Sequence, residues 1–177
     1  MIPVPSIAGA FLRDLRWIAD DRGALSELYR DSWEPPGTFD FGSAVPTFSR
    51  VANAGRARQV YLTETRPGVV KAWHFHREQT DRFVPVRGTL RVVLYDAREL
   101  SPTRGGWFEV VLDPDRAHRM LVIPPGVVHG WKNVGTETAS ILNCVTTERT
   151  GSDEYRRGAD EGPVEGVPYD WHARRDG

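Results

Sequence analysis

The feature that most restricts this chain is the way glycine and proline cut it into short pieces. Its 177 residues carry 17 Gly and 13 Pro. Between them lie β-branched and aromatic runs too short for ordinary helices: Gln59–Thr63, Arg82–Val86, Leu90–Tyr95, Trp107–Leu112, Met120–Ile123 and Ser140–Val145. Short strands at close spacing, separated by turn residues, predict an all-β sandwich or barrel. Leu90, Val92 and Leu94 alternate with Arg91, Val93 and Tyr95, the period of a strand with two distinct faces. Helical signals are few. Leu25–Arg30 reads as strand rather than helix, Arg149–Arg157 has room for one helical turn, and the stretch after Gly158 reads as irregular.

The length suits one domain spanning residues 1–177, with a core over about 20–148 and an irregular tail over 149–177. A formal net charge of -1 provides no broad basic field, which argues against nucleic acid as a partner. The single cysteine, Cys144, lies in a strand-like run and reads as a small core residue. One cysteine cannot form an internal disulfide, which fits a reducing, cytoplasmic setting. The first residues lack the pattern of a signal peptide, and no apolar run is long enough for a membrane span, so no membrane partner is expected.

The segment from Gly68 to Gly88 holds the most chemistry. Strand neighbours two apart face the same way, so His74 and His76 point into one space. Asp81 follows a bend that can swing its carboxylate back to them. Farther on, Pro124 and Gly126 suit a tight turn that launches a strand carrying His129 and Asn133. His74, His76, Asp81 and His129 together offer a site for a divalent transition metal such as iron, manganese, nickel or zinc. The alternative is a set of barrel-lining histidines satisfied by hydrogen bonds.

The spacing Gly68, five residues, His74-x-His76, four residues, Asp81, six residues, Gly88 resembles the first cupin motif, with Asp81 where Glu is usual. Pro124-x-Gly126, two residues, His129, three residues, Asn133 resembles the second, with His118 where its leading Gly usually stands. The resemblance implies a cupin double-stranded β-helix, a jelly-roll barrel with few short helices.

A closer resemblance, over nearly the full length, is to the dTDP-4-dehydrorhamnose 3,5-epimerase family. It rests on Asp20-Asp21-Arg22-Gly23 with Glu27, on Gln59, and on Lys71-Ala72-Trp73-His74. Asp96-Ala97-Arg98, Ser101-Pro102-Thr103 with Trp107, and Ile123-Pro124-Pro125-Gly126 with His129-Gly130-Trp131 continue it. Asp160 and Pro168-Tyr169-Asp170-Trp171 match its closing segment. The resemblance implies a cytoplasmic homodimer whose N-terminal strands cross between subunits, acting on a dTDP-4-keto-6-deoxyhexose in deoxysugar or polysaccharide supply. No cofactor is required by it. His74 would be the base, supported by Asp160 or, second, by Asp170. Arg22, Glu27, Gln59, Lys71, Arg98 and His129 would bind substrate, with Arg22 and Arg98 on the diphosphate and Lys71 near the enolate oxygen. Imidazole suits removal of a proton beside a ketone, because its pKa lies near neutrality.

Three positions depart from the family. Its general-acid tyrosine falls near Asn143, and an amide cannot donate a proton in that role. Tyr61 and Tyr95 are the substitutes at hand. A family Gln becomes His76 and a substrate-binding Lys becomes Asp81. These last two changes move towards a metal-ligand set. They keep two other expectations open: a metal-dependent cupin of another class, such as a dioxygenase or small-molecule isomerase, and a non-catalytic sugar-binding cupin.

Overall fold

The computed structural model describes residues 2–33, 56–149, 151, 153–156, 167 and 169–172. Its strands, in chain order, are β1 (Ile2–Pro3), β2 (Phe11–Asp14), β3 (Trp17–Asp20), β4 (Gly23–Ser26), β5 (Gln59–Thr65), β6 (Val70–Phe75), β7 (Asp81–Arg87), β8 (Leu90–Asp96), β9 (Trp107–Leu112), β10 (Arg119–Ile123), β11 (Val127–Asn133), β12 (Ala139–Val145) and β13 (Tyr155–Arg156). A six-stranded sheet runs β1-β2-β10-β7-β12-β5, and a five-stranded sheet runs β13-β6-β11-β8-β9. All pairings are antiparallel, and the two sheets close over one another as a jelly roll. Strands β3 and β4 form a separate hairpin. The helical content of the described residues is one 3₁₀ turn, Asp31–Trp33.

Alternation on β8 explains how the layers stack. Leu90, Val92 and Leu94 are fully buried between the sheets against Leu121, Ile123 and Ile141. Each such side chain contributes roughly 1.5–3 kcal/mol by leaving water. The other face of β8 is also covered: Val93 packs with Trp73, Val128, Val167 and Trp171. The C-terminal segment thus seals the outside of the five-stranded sheet. Cys144 is buried, as its strand-like setting implied.

Three local expectations are corrected. The sheet begins well before residue 20, because β2 pairs with β10 through Arg119↔Asp14 to Val122↔Phe11. The expected strand over Leu25–Arg30 stops at Ser26, where its partner β3 runs out at Trp17. The expected helical turn in 149–157 is instead the short strand β13, laid against β6 with Tyr155 stacked on Phe75 at 4.6 Å. Its pairing partner is 80 residues earlier in the chain (155 − 75), beyond the reach of local propensity.

Two glycines aim the histidines. Gly126 has φ +77, which lets the Pro124–Gly126 turn close, and its N–H donates to the His76 carbonyl at 2.6 Å. Gly130 lies where β6 and β11 nearly touch: a Cβ there would stand 2.4 Å from the Ala72 Cβ. The register of these strands sets His129 opposite His74, then slips by one residue, so that Trp131 faces Lys71.

Candidate active site

A cavity of about 470 Å³ opens between the two sheets. His74, His129 and Trp131 enter it from the five-stranded sheet; Gln59, Tyr61, Asp81 and Asn143 enter from the six-stranded sheet. His76, just past the end of β6, also lines it.

Three ligand atoms, one each from His76, Asp81 and His129, lie within 4.8 Å of one another. Their hydrogen bonds determine what each presents. His76 Nδ1 lies 2.5 Å from the Asp153 carbonyl and His129 Nδ1 lies 3.1 Å from the Val127 carbonyl. A carbonyl only accepts, so each Nδ1 carries a proton, and in the uncharged ring the lone pair then lies on Nε2. Asp81 Oδ1 accepts from Gln79 Nε2 at 2.9 Å and from Asn143 Nδ2 at 2.7 Å. Its Oδ2 faces His76 Nε2 at 3.7 Å and His129 Nε2 at 3.8 Å. Two imidazoles with one carboxylate are a donor set that could hold a first-row divalent metal. Burial pushes the pKa of His129 down, against the upward pull of Asp81.

His74 stands outside this trio. Its ring stacks on Trp131 at 5.2 Å, and its buried Nε2 has no hydrogen-bond partner among the described residues. Burial first, then coulombic repulsion of a protonated ring by His129, Arg156, His76 and Lys71, lowers its pKa to about 3. The ring is therefore neutral at ordinary pH and ready to take a proton, although such a depressed value makes it a weak base until a carboxylate or substrate partners it.

The family model for dTDP-4-dehydrorhamnose 3,5-epimerase matches residues 5–161. The chain belongs to that family. It is 34% identical to the "Probable low-salt glycan biosynthesis epimerase Agl13" of Haloferax volcanii, over 94% of this chain and 91% of that protein. It is 31% identical to the spore coat polysaccharide biosynthesis protein SpsL of Bacillus subtilis, over 79% and 80%. Among solved structures it is similar to a dTDP sugar isomerase from Desulfovibrio desulfuricans G20, with TM-score 0.76, 29% identity, and 96% and 94% of the two chains covered. The rmlC epimerase of Mycobacterium tuberculosis superposes with TM-score 0.67 at 26% identity, covering 88% and 70%. Epimerases among these relatives favour the epimerase expectation over the dioxygenase, small-molecule isomerase and sugar-binding ones.

Within this family frame, the expected site residues divide. His74, His76, Asp81, His129 and Gln59 all line the cavity. The four-ligand set contracts to three, since His74 does not join the others. Arg98 is not among the lining residues. Its guanidinium is held by Asp96 through Nε at 2.8 Å and Nη2 at 2.7 Å, and by the Ala8 carbonyl at 2.7 Å. Lys71 turns instead to the Glu64 carbonyl at 2.6 Å and stays out of the lining. Arg22 and Glu27 are also outside the lining: Arg22 pairs with Asp20 at 2.6 Å with its side chain 84% exposed, and Glu27 pairs with Arg30. Asp170 is exposed, accepts the backbone N–H of His172 at 2.8 Å, and is not among the cavity-lining residues. Asp160 lies outside the described residues.

Several lining residues escaped the sequence reading. Arg149 and Arg156 both pair with Glu154 at the cavity, and Gln59 Oε1 accepts from the Arg149 N–H at 2.9 Å. Burial opposes ionisation of Glu154, but the two guanidiniums win and hold its pKa below the usual carboxylate range. Their only sequence signal was an arginine-rich stretch in a polar tail.

Proposed function

We propose that this chain is a sugar-nucleotide epimerase acting on a dTDP-4-keto-6-deoxyhexose by proton abstraction beside the C4 ketone. The observation that carries the reading is the neutral His74 imidazole in a cavity between sheets, its buried nitrogen unpartnered. His74 removes the hydrogen on carbon 3 or carbon 5, whose acidity the neighbouring carbonyl supplies, and leaves an enolate. Asp160 is the residue proposed to hold the second ring nitrogen and raise the basicity of His74. Arg149 and Arg156 are the cations of the cavity rim and take the diphosphate by charge-assisted hydrogen bonds. The test is proton NMR of dTDP-4-keto-6-deoxyglucose in deuterated water. Deuterium should enter carbon 3 or carbon 5 with the wild-type protein and not with His74→Ala. Exchange that survives in the variant removes His74 as the base.

A metal centre is a second reading, favoured by one observation: the convergence of lone pairs from His76, Asp81 and His129. These three residues would hold a divalent ion, which would supply Lewis-acid polarisation to the ketone oxygen. His74 remains free for proton transfer in this arrangement, since it is not among the three.

The hairpin supports assembly as a homodimer. Trp17, Ile18 and Leu25 are 55%, 62% and 59% exposed on it, an apolar surface left largely open by the described residues. Laid across a partner, this hairpin would bring Arg22 and Glu27 towards the partner's substrate, where the family resemblance expects them.

A further inference from the structure

Inverting a carbon centre requires a proton to leave one face of the sugar and another to arrive on the opposite face. His74 is one participant. The second, which the family resemblance sets at Asn143, is an amide here. We infer that Tyr61 supplies that proton from the neighbouring strand, an inference that rests on the epimerase reading above.

Register places the phenol beside the vacated position. Tyr61 on β5 is the direct cross-strand partner of Asn143 on β12, so the two side chains share a face. The hydrogen-bond directions then follow by elimination. Asn143 Oδ1 accepts the Arg82 N–H at 2.9 Å, which places its NH₂ on the other side. That NH₂ donates to Asp81 Oδ1 at 2.7 Å and to the Tyr61 oxygen at 2.8 Å. A flipped amide would set an NH₂ against a backbone N–H and an oxygen against a carboxylate. The orientation is therefore determined, and Tyr61 accepts from Asn143 rather than donating to it. The phenol has one hydrogen of its own. Among the described residues no acceptor takes it, and Tyr61 lines the cavity.

Position across the cavity fits the task. Tyr61 stands in the six-stranded sheet and His74 in the five-stranded sheet, on facing walls. Burial, followed by the charge of Asp81, pushes the phenol pKa up to about 12, so the proton stays in place until an enolate draws it. Tyr95, the other tyrosine considered, packs with Trp73 and Val93 on the outer face of the five-stranded sheet and is absent from the cavity.

The step balances without a co-reactant. The enolate carbon uses its C=C electron pair to take the Tyr61 proton; the O–H bond breaks, a C–H bond forms, and the C4 oxygen returns to a carbonyl. The phenolate left behind is reprotonated by water, and His74 returns its proton to solvent.

Tyr61→Phe removes the hydroxyl and keeps the ring. With dTDP-4-keto-6-deoxyglucose in deuterated water, this variant should still exchange the hydrogen that His74 removes, within a few-fold of wild type. Formation of the inverted product should fall by about 10²–10⁴-fold, the usual worth of a general acid. Inversion at the wild-type rate would overturn the assignment. Equal loss of exchange and inversion would also overturn it, by placing Tyr61 ahead of proton removal. A wild-type protein that neither exchanges nor inverts would refute the epimerase reading itself, and the Tyr61 assignment with it.

Discussion

Arg98→Ala separates a structural arginine from a ligand-binding one. Asp96 is 0% exposed, and its carboxylate accepts from Arg98, from Ser101 Oγ at 2.5 Å and from Thr103 Oγ1 at 2.6 Å. Burial works against its ionisation, yet these donors hold its pKa below the usual range. Removing the Arg98 side chain leaves a buried carboxylate with two hydroxyl donors and the backbone N–H of residue 98, but without the guanidinium that pairs with it. Breaking a buried pair in this way costs about 3–5 kcal/mol. The side chain also packs under the turn that launches β11, since a Cβ on Gly126 would stand 2.8 Å from Arg98 Cγ. Loss of that support adds to the cost rather than relieving it. At roughly 2–4 °C per kcal/mol for a chain of this size, the melting temperature should fall by ~6–20 °C. Urea denaturation gives the free energy directly, and calorimetric titration with dTDP, below the transition, should find affinity unchanged. Arg149→Ala should do the reverse, because its pair with Glu154 is exposed on the arginine side, 63% against 23%, while Arg149 lines the cavity. An Arg98→Ala protein of wild-type stability that no longer binds dTDP would refute this assignment and return Arg98 to the diphosphate.

The trio gives a second test. Asp81→Ala should strand the buried Gln79 and Asn143 amides and cost about 2–4 kcal/mol, whereas Asp81→Asn keeps an acceptor for them and should cost under about 1 kcal/mol in urea titrations run with chelator. Metal content measured by mass spectrometry should be near one divalent ion per chain in wild type and near zero in both variants; a metal-free wild type purified without chelator and failing to take up added ion removes the centre. A third concerns pH and the hairpin. His118 stacks on Trp17 at 4.7 Å and meets Ser26 Oγ at 2.9 Å, and burial lowers its pKa below 6.5. The docked form therefore binds fewer protons than the undocked one, so docking weakens as pH falls below about 6.5. Amide exchange over residues 17–26, corrected for intrinsic rate, should accelerate towards pH 5.5; a pH-independent protection there would contradict the sign. For the dimer, Ile18→Asp should convert the wild-type species to monomer in sedimentation velocity, and an unchanged profile would count against the hairpin as interface.

The parts of the site that were legible in the sequence are those whose partners lie close in the chain. His74 and His76 are two apart, and Gly126 and His129 belong to one turn and strand, so strand alternation and turn chemistry suffice to bring them together. Arg98 was misread because Asp-x-Arg followed by Ser and Thr is equally the pattern of a ligand fork and of a closed network. Only burial distinguishes them. Lys71 could not be placed because its hydrogen bond runs to a backbone carbonyl, that of Glu64 on β5, and such a contact leaves no side-chain signal in the sequence. Arg156 was illegible, and Tyr61 could not be chosen over Tyr95, for a third reason: Arg156 and Tyr61 each acquire their place through a strand paired across some 80 residues, β13 on β6 and β5 on β12.

That long-range pairing also joins two departures that look independent along the chain. Where the family has lysine and tyrosine, this chain has Asp81 and Asn143, and the two side chains are bonded to each other. A carboxylate buried at position 81, 2% exposed, needs donors. A tyrosine at 143 has one hydrogen, so donating it to Asp81 would leave none to give to an enolate. Asparagine serves Asp81 and the Arg82 N–H and retains a second N–H, which it directs to Tyr61. Once Asp81 is present, the amide at 143 is the side chain that satisfies it, and the phenol is displaced to the adjacent strand. The missing tyrosine, taken alone, argued for a protein that binds a sugar and does nothing to it. Coupled to Asp81 and Tyr61, it fits the proton donor proposed above on the adjacent strand.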